Sequence, residues 1–216
     1  DVAYVHVEFY NGAMSSGQSA RLMSAFISVR EQKPKVIVLA GGPDYWCNGI
    51  HLNLIEASDQ PAEASWANIN AMNDLSHEII TTTECLTVSA LRGNAGAGGA
   101  FLARATDFVW AHDNTVLTPH YRNIGKLYGS GYWTYLLPEH CGKQRAQRIV
   151  GLGGPIGAID AVSLGLVDEV IARSKHAFPP ALAEHAQRLA RSSRFASLLH
   201  RKHSKRLADE CARPLA

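Results

Sequence analysis

The hydrophobic positions fall into short apolar runs separated by longer amphipathic stretches. Residues 2–9 are β-branched and aromatic, and residues 36–39 are wholly apolar, as is typical of a parallel strand buried on both faces. Between these runs, Ser15 or Ser16 can cap a helix that extends to about Gln32. A strand, a helix and a strand within the first 40 residues predict a βαβ unit.

The same alternation continues along the rest of the chain. Further strands are predicted at residues 86–91, 108–111 and 115–118. Helices are predicted at about 61–82, 100–105, 131–137, 143–150, 156–164 and 179–210. No internal repeat or low-complexity linker separates these elements. We therefore expect one α/β domain, with a core over residues 1–175 and a C-terminal helical segment over residues 176–216.

Composition and charge exclude several classes of protein. Of the 216 residues, 46% are hydrophobic and 19% are charged, which is ordinary for a globular enzyme and wrong for a disordered chain. The net charge of +2 is too small to imply nucleic-acid binding by itself. No apolar run is long enough to span a membrane, and no apolar leader opens the chain. The four cysteines are far apart, which favours a reduced, cytoplasmic protein without a zinc site. Because the sequence begins without methionine on a strand pattern, we expect it to be a domain of a longer protein.

Two glycine-rich loops each follow a predicted buried strand. Residues 41–52 read GGPDYWCNGIHL, and residues 92–101 read RGNAGAGGAF. A strand-to-helix loop of this kind can present backbone N–H groups to an anion or to a developing oxyanion. The second loop lacks the register of a dinucleotide-binding fingerprint, and the chain contains no GKS or GKT phosphate loop. For one such loop, tight packing of a helix on a sheet is the alternative explanation. The presence of two such loops favours a functional site.

These motifs, together with the segment AIDAVSLGLVDEV at residues 158–170, resemble the crotonase (enoyl-CoA hydratase/isomerase) superfamily. The resemblance implies the crotonase fold, an α/β fold of repeated βαβ units with C-terminal helices. It also implies that two backbone N–H groups bind the thioester oxygen of an acyl-CoA, and these fall on Ile50 and Gly98. The two carboxylates of the hydratases fall on Phe101 and His120, so ordinary enoyl-CoA hydration is disfavoured.

A narrower resemblance covers longer motifs. The segments FYNGAMS (9–15), NGIHLN (48–53), GNAGAGG (93–99), PHY (119–121) and LYGSGYWTYLLP (127–138) are similar to the C-terminal domain of the HypX (HoxX) family of hydrogenase maturation factors. This resemblance implies an upstream formyl-tetrahydrofolate domain. It also implies that the two domains make formyl-CoA and release carbon monoxide for the iron of nickel–iron hydrogenase. The expected partners are a CoA thioester, the upstream domain and hydrogenase maturation proteins, with CoA and no metal at the site.

The resemblance also implies roles for individual residues. Tyr121, with His120 beside it, would move protons, and Ile50 and Gly98 would hold the thioester oxygen. Substrate and CoA would be bordered by Asn48, Gly49, His51, Leu52, Asn53, Asn94, Gly99 and Tyr132. One family position is altered, since Gly131 stands where the family usually carries Glu. The carboxylate of the family's catalytic pair is therefore missing, while Tyr121 is retained.

Two other functions stay open on the sequence. One is another crotonase reaction, such as thioester hydrolysis with His120 as base. The other is a non-catalytic domain that docks CoA or a partner protein, which the change at Gly131 favours.

Some further features have a structural and a functional explanation. The basic segment 188–206 is either a solvated helix face or a site for the CoA phosphates, and its lone aromatic residue argues against RNA. The aromatic residues at 128, 132, 133 and 135 either pack in a core or line an acyl pocket. Cys47 fits a small loop residue better than a nucleophile, since no paired histidine is evident. His112 and His120 lack a third ligand at recognisable spacing for a metal.

Overall fold

The computed structural model describes residues 1–119 and 131–212. The strands are β1 (Val2–Val7), β2 (Ala13–Met14), β3 (Val36–Gly41), β4 (Tyr45–Cys47), β5 (Gly49–Ile50), β6 (Leu86–Leu91), β7 (Asn94–Gly96), β8 (Phe108–His112), β9 (Val116–Thr118), β10 (Ile156–Gly157) and β11 (Glu169–Ala172). The helices are α1 (Ser16–Glu31), α2 (Leu52–Glu56), α3 (Pro61–Thr81), α4 (Gly98–Arg104), α5 (Trp133–Cys141), α6 (Lys143–Leu152), α7 (Ala158–Leu164), α8 (Phe178–Arg191) and α9 (Phe195–Ala212).

A five-stranded parallel sheet forms the centre, in the order β1-β3-β6-β8-β11. Strand β6 is buried at every position, and β3 is buried at all but Gly41, because helices cover both faces of the sheet. One face packs against a large core that includes Phe26, Leu75 and Phe101. The other face packs against a smaller core that α8 supplies with Phe178 and Leu182.

A second sheet of short strands lies in the order β10-β9-β7-β4, and β2 pairs with β5. These strands account for the largest difference from the sequence prediction, since β4, β5 and β7 lie inside the two segments expected to be loops. Each contains only two or three residues, too few to show an alternating pattern.

The first βαβ unit agrees with its prediction. Ser15 caps α1 in a capping box, in which its side chain accepts from the N–H of Gln18 and the Gln18 side chain accepts from the N–H of Ser15. Parallel pairing of β1 with β3 then aligns Val2 with Val36. The predicted α/β architecture of βαβ units with C-terminal helices agrees with this arrangement.

The C-terminal part corrects three predictions. The expected helix 179–210 is two helices, because Ser192 is extended, with φ −61° and ψ 137°, and ends α8. The expected helix 156–164 begins with strand β10. Strand β11 was not predicted, because it is short and starts on an exposed Glu169 at the sheet edge. The proposed boundary near residue 175 stays a prediction.

All four cysteines lie in the described part of the chain, and each is a free thiol: Cys47, Cys85 and Cys141 are buried, and Cys211 is exposed. Within residues 1–119 and 131–212, no helix combines the length and apolar character needed to cross a membrane.

Candidate functional site: two joined glycine loops

The two glycine-rich segments leave neighbouring strands at one edge of the central sheet. Strand β3 ends at Gly41 and strand β6 ends at Leu91, and these strands pair in parallel. Their carboxyl ends therefore meet at the same edge, which is where open α/β sheets commonly bind ligands.

One pair of short parallel strands joins the two segments, and a second pair joins the first segment to residues 13–14. Strand β4 pairs with β7, aligning Cys47 with Ala95, and β5 pairs with β2, aligning Ile50 with Met14. The indole Nε1 of Trp46 also donates to the carbonyl of Gly99 at 3.2 Å, and the Trp46 side chain is fully buried. The two loops form one continuous structure.

Glycine is required where the loops touch. A Cβ atom on Gly99 would overlap the carbonyl oxygen of Cys47, and one on Gly49 would lie 3.2 Å from the backbone N of Gly98. Gly49 also has φ +91°, which disfavours any residue with a side chain. Glycine at both positions therefore allows the backbones of the two loops to approach closely.

The close contact brings the positions of Ile50 and Gly98 together. Gly98 begins α4 after Ala97, whose φ is +45°, and the first N–H groups of a helix have no intrahelical acceptor. Ile50 directly follows Gly49, which contacts Gly98. Two backbone positions from different loops thus lie close together, and N–H groups at two such positions can share one oxygen where both point to it.

Two residues expected to border the ligand also brace these loops. The Asn48 side chain donates to the carbonyl of Asn11 at 3.2 Å. The Asn94 side-chain oxygen accepts from the N–H of Val116 at 2.9 Å, which ties β7 to β9. Both asparagines are therefore engaged with backbone groups.

The three residues after Ile50 enter α2. The His51 ring nitrogen Nδ1 accepts from the N–H of Leu54 at 3.4 Å and caps this helix. Leu52 and Asn53 are exposed, with Leu52 at 45% of its full accessible area. They lie at the surface beside the loops, where a ligand approaching the loops from solvent would pass.

Asn68 on α3 is a residue of the site that sequence reasoning missed. Its Oδ1 accepts from the N–H of His51 at 3.1 Å, and its Nδ2 donates to the carbonyl of Met14 at 2.9 Å. Only 3% of Asn68 is exposed. The signal available in the sequence was a polar residue on the buried face of an amphipathic helix. A buried side-chain amide needs hydrogen-bond partners, so such a residue indicates specific contacts.

Gly131 lies against the first helical turn after the second loop. A Cβ atom at Gly131 would be 3.2 Å from Cβ of Phe101, and its N–H donates to Oδ1 of Asn73 at 2.9 Å. The structure thus brings together two positions at which the resemblance described above implies carboxylates in related enzymes, and neither Phe101 nor Gly131 carries one. Gly131 also has φ +72°, a conformation that a glycine adopts without strain.

Tyr132 follows in the left-handed conformation, with φ +58°, and is 38% exposed. Its ring lies 5.9 Å from that of His77. Of the other clustered aromatics, Trp133 and Tyr135 pack partly against the core, whereas residue 128 lies outside the described residues.

The two expected acid/base residues, His120 and Tyr121, also lie outside the described residues. The first described part of the chain ends close to the second loop, because the carbonyl of Thr118 accepts from the N–H of Ala97 at 2.9 Å. It resumes at Gly131, which is held by Asn73. Both flanks of this segment are therefore anchored near the joined loops.

Cys47 is buried beneath the loops, and burial raises the pKa of its thiol to about 12. It is a thiol rather than a thiolate at neutral pH, which agrees with a packing role. Within the described ranges, no group of three His, Cys, Asp or Glu side chains converges as a metal site would require.

The basic segment 188–206 divides into two sets of side chains, and the expectation of one solvated face is wrong. Lys202 is buried, where its Nζ contacts Asp107 at 2.6 Å and the carbonyl of Cys85 at 2.9 Å. Lys205 contacts Glu139 at 3.1 Å, and Arg206 donates to the hydroxyl of Tyr135. These three cations fasten α9 to the sheet and to α5.

Comparison with known proteins agrees with this architecture. The chain matches the enoyl-CoA hydratase/isomerase family over residues 6–213. The hydrogenase maturation factor HoxX of Bradyrhizobium diazoefficiens is 46% identical over 215 residues, which cover 100% of this chain and 38% of HoxX.

Solved structures give the same result. A crystal structure of HypX from Aquifex aeolicus, in complex with tetrahydrofolic acid, matches with a TM-score of 0.92 and 40% identity over 96% of this chain and 37% of HypX. Enoyl-CoA hydratase from Bacillus halodurans has a TM-score of 0.79 at 20% identity, covering 96% of this chain and 85% of that one, and so shares the fold.

The predicted resemblance to the HypX/HoxX proteins is therefore confirmed, and the chain spans a little over a third of the length of these two relatives. Because the family match extends over residues 6–213, the chain belongs to the enoyl-CoA hydratase/isomerase family, the crotonase superfamily.

Proposed function

We propose that this domain binds formyl-CoA at the joined glycine loops and converts it to carbon monoxide and CoA. The observation that carries the proposal is the close approach of Gly49 to Gly98, because Ile50 directly follows Gly49 and a Cβ atom at Gly49 would lie 3.2 Å from the backbone N of Gly98. Further support comes from the 46% identity to a hydrogenase maturation factor. The crotonase family assignment supports a CoA thioester as the class of substrate.

The proposed reaction needs no oxidant or reductant. The C–H bond of the formyl group and the C–S bond both break, the formyl hydrogen leaves as a proton, and sulfur takes the electron pair of the C–S bond. Protonation of that sulfur gives free CoA, and the remaining carbon and oxygen leave as carbon monoxide.

The residues of the loops would act on the carbonyl oxygen. Hydrogen bonds from the N–H groups of Ile50 and Gly98 would draw electron density from the carbonyl and make the formyl hydrogen more acidic. Backbone donors fixed in a packed loop do this without reorganising during the reaction. The thioester would lie between the loops and the exposed start of α2 at Leu52 and Asn53.

The proton would be moved by Tyr121 with the help of His120. This assignment rests on the similarity of the segment PHY to the HypX family. A phenol or an imidazole can relay a proton when its pKa lies near that required by the reaction. The glycine at position 131 supplies no carboxylate, so these two side chains would act without the family's glutamate.

A second candidate is a domain that docks CoA or a partner protein without turnover. The specific observation in its favour is Gly131, where the position used for the family's glutamate has no side chain and its N–H is bound to Asn73. Such a domain would keep the thioester-binding loops and lose the chemistry.

We further propose that the whole protein joins this domain to a folate-binding partner domain and serves hydrogenase maturation. The support is that this chain spans only 38% of HoxX and 37% of HypX, and that HypX from Aquifex aeolicus was solved with tetrahydrofolic acid.

The test is to incubate the chain with formyl-CoA and measure carbon monoxide in the headspace together with free CoA thiol. We expect the two products in equal amounts. Thiol with formate and no gas would indicate hydrolysis instead. No product, with CoA still bound, would establish the docking domain.

Variants at position 131 show what the missing carboxylate contributes. Gly131→Glu would restore it, and Gly131→Gln has nearly the same shape without the charge. Both would be strained by the left-handed backbone, at a cost of about 1–2 kcal/mol. A gain of gas with Glu alone would assign the effect to the carboxylate.

A further inference from the structure

Three arginines line a groove that lies away from the glycine loops. It is about 490 Å³ in volume and lies between β8, the start of β11, and the helices α8 and α9. We call it the arginine groove, because Arg188, Arg194 and Arg201 line it.

Aromatic and apolar side chains form the floor of the groove. Phe108 and Trp110 lie at the start of β8 with ring centroids 6.4 Å apart, and Trp110 contacts the ring of His185 edge-on at 5.8 Å. Leu189 from α8 and Leu198 from α9 line the sides. A packed floor holds the helices apart at a fixed spacing, so the arginines surround a defined space.

The carboxylates of the groove already have partners. Asp168 accepts from Nη1 of the fully buried Arg104 at 2.8 Å and from the N–H of Val109 at 2.6 Å. Glu169 contacts Nε2 of His185 at 3.2 Å. Neither forms an ion pair with Arg188, Arg194 or Arg201 in the part of the chain that the structure describes.

The guanidinium groups of these arginines make almost no ion pairs or hydrogen bonds within the described residues. Arg188 has one carboxylate near it, Glu184 at 3.7 Å, and both side chains are more than half exposed, so this pair contributes little. Within residues 1–119 and 131–212, the guanidinium groups of Arg194 and Arg201 have no ion-pair or hydrogen-bond partner.

This contrasts with the rest of the basic segment. Lys202, Lys205 and Arg206 each contact an acidic residue of the chain. Of the five arginines of this segment, three therefore line the groove, Arg191 lies outside it and Arg206 contacts Asp209.

We propose that the arginine groove binds a small ligand carrying two or more phosphate charges. Guanidinium groups present parallel N–H donors that match the oxygen spacing of phosphate, and several of them around one space favour a multiply charged anion. The volume of about 490 Å³ suits a small molecule.

The groove is separate from the glycine loops. Phe108 and Glu169 are the first residues of β8 and β11, whereas the loops follow the last residues of β3 and β6. Opposite ends of a five- to six-residue strand are about 17–20 Å apart. The proposal is therefore independent of the proposed reaction.

The test is calorimetric titration of the chain with tripolyphosphate at low and at moderate salt. We expect saturable binding that weakens as salt is added, since exposed charges are screened. Arg194→Gln and Arg201→Gln should each weaken binding by about tenfold. The matched control is Arg191→Gln, an exposed arginine of the same segment outside the groove, which should bind as the unmodified chain does.

Three results would overturn the proposal. They are no saturable binding, equal loss in all three variants, or tight binding of a glutamate-rich peptide with none of tripolyphosphate. Carbon monoxide release by the same variants should be unchanged, so failure here is distinguishable from failure of the proposed function.

Discussion

Asn68 connects His51, near the end of the first glycine loop, to Met14 in strand β2, which pairs with strand β5 of that loop. Its Oδ1 accepts from the N–H of His51 at 3.1 Å, and its Nδ2 donates to the carbonyl of Met14 at 2.9 Å. Met14 is aligned with Ile50 in the β2–β5 pair. One buried side chain on α3 thus holds both the amide that follows Ile50 and the carbonyl of the strand residue aligned with Ile50.

Replacing Asn68 with leucine should therefore impair catalysis more than it impairs folding. The change leaves a buried donor and a buried acceptor without partners, at a cost of about 1–3 kcal/mol in stability. Urea unfolding gives this loss, and carbon monoxide release from formyl-CoA gives the effect on rate. The control is Ser76→Ala, which removes a buried hydroxyl bonded to Met72 on the same helix. Equal rates for the two variants at equal stability would contradict a positioning role for Asn68.

The contact between Gly99 and Cys47 leads to a prediction of opposite effects at two glycines. Gly99→Ala should strongly destabilise the protein, because the new methyl group would overlap the carbonyl oxygen of Cys47. Gly17→Ala, in helix α1 with no atom within 4 Å of the added carbon, should instead stabilise it by up to about 1 kcal/mol. Thermal unfolding of both variants measures the difference. A Gly99→Ala protein of normal stability would show that the two loops do not touch.

Removal of the buried Lys202 charge should lower the free energy of unfolding more than removal of any exposed cation of α9, because Lys202 pairs with Asp107. Lys202→Met leaves Asp107 with its charge in a largely buried position, although Thr87 still donates to it through its N–H and hydroxyl groups. Loss of one member of a buried pair costs about 3–5 kcal/mol.

Arg201→Met, one residue earlier and exposed, is the control and should change stability by less than about 0.5 kcal/mol. Chemical denaturation measures both variants. Similar midpoints for the two would mean that α9 is not held to the sheet by Lys202.

Thiol reactivity should distinguish Cys211 from the other three cysteines. Cys47, Cys85 and Cys141 are buried, and burial raises the pKa of Cys47 to about 12 and that of Cys85 to about 11. At pH 8 a thiol reagent should modify one cysteine of the folded protein quickly and four after denaturation. Cys211→Ser should abolish the fast reaction. Fast modification of Cys47 would overturn its assignment as an inert packing residue.

Much of the fold could be predicted from the sequence, because its strands and helices carry strong local signals. The wholly apolar run at β3 specifies a buried parallel strand, β6 is mostly apolar, and the capping box at Ser15 specifies the start of α1. The short strands β4, β5 and β7 could not be predicted, because their pairing is decided by contacts between segments 36 to 49 residues apart.

The site was predicted in part for the same reason. Glycines such as Gly49 and Gly99 are visible in a sequence because no other residue fits so close an approach. Asn68 and Lys202 were not recognised, since their partners at Met14 and Asp107 are distant in sequence and a polar residue on a helix face does not by itself identify them. The split of the basic segment into internal ion pairs and free arginines likewise depends on which carboxylates the fold brings near each cation.

The measurement that most directly tests the central claim is the infrared carbonyl stretch of a bound thioester labelled with carbon-13 at the carbonyl. Acetyl-CoA is a suitable probe, because it has no formyl hydrogen and cannot decarbonylate. If the N–H groups of Ile50 and Gly98 hold the oxygen, the stretch should fall in frequency on binding, because hydrogen bonds polarise the carbonyl. The shift should be reduced in Asn68→Leu and retained in Ser76→Ala. A bound thioester whose carbonyl absorbs as it does in water would contradict the account.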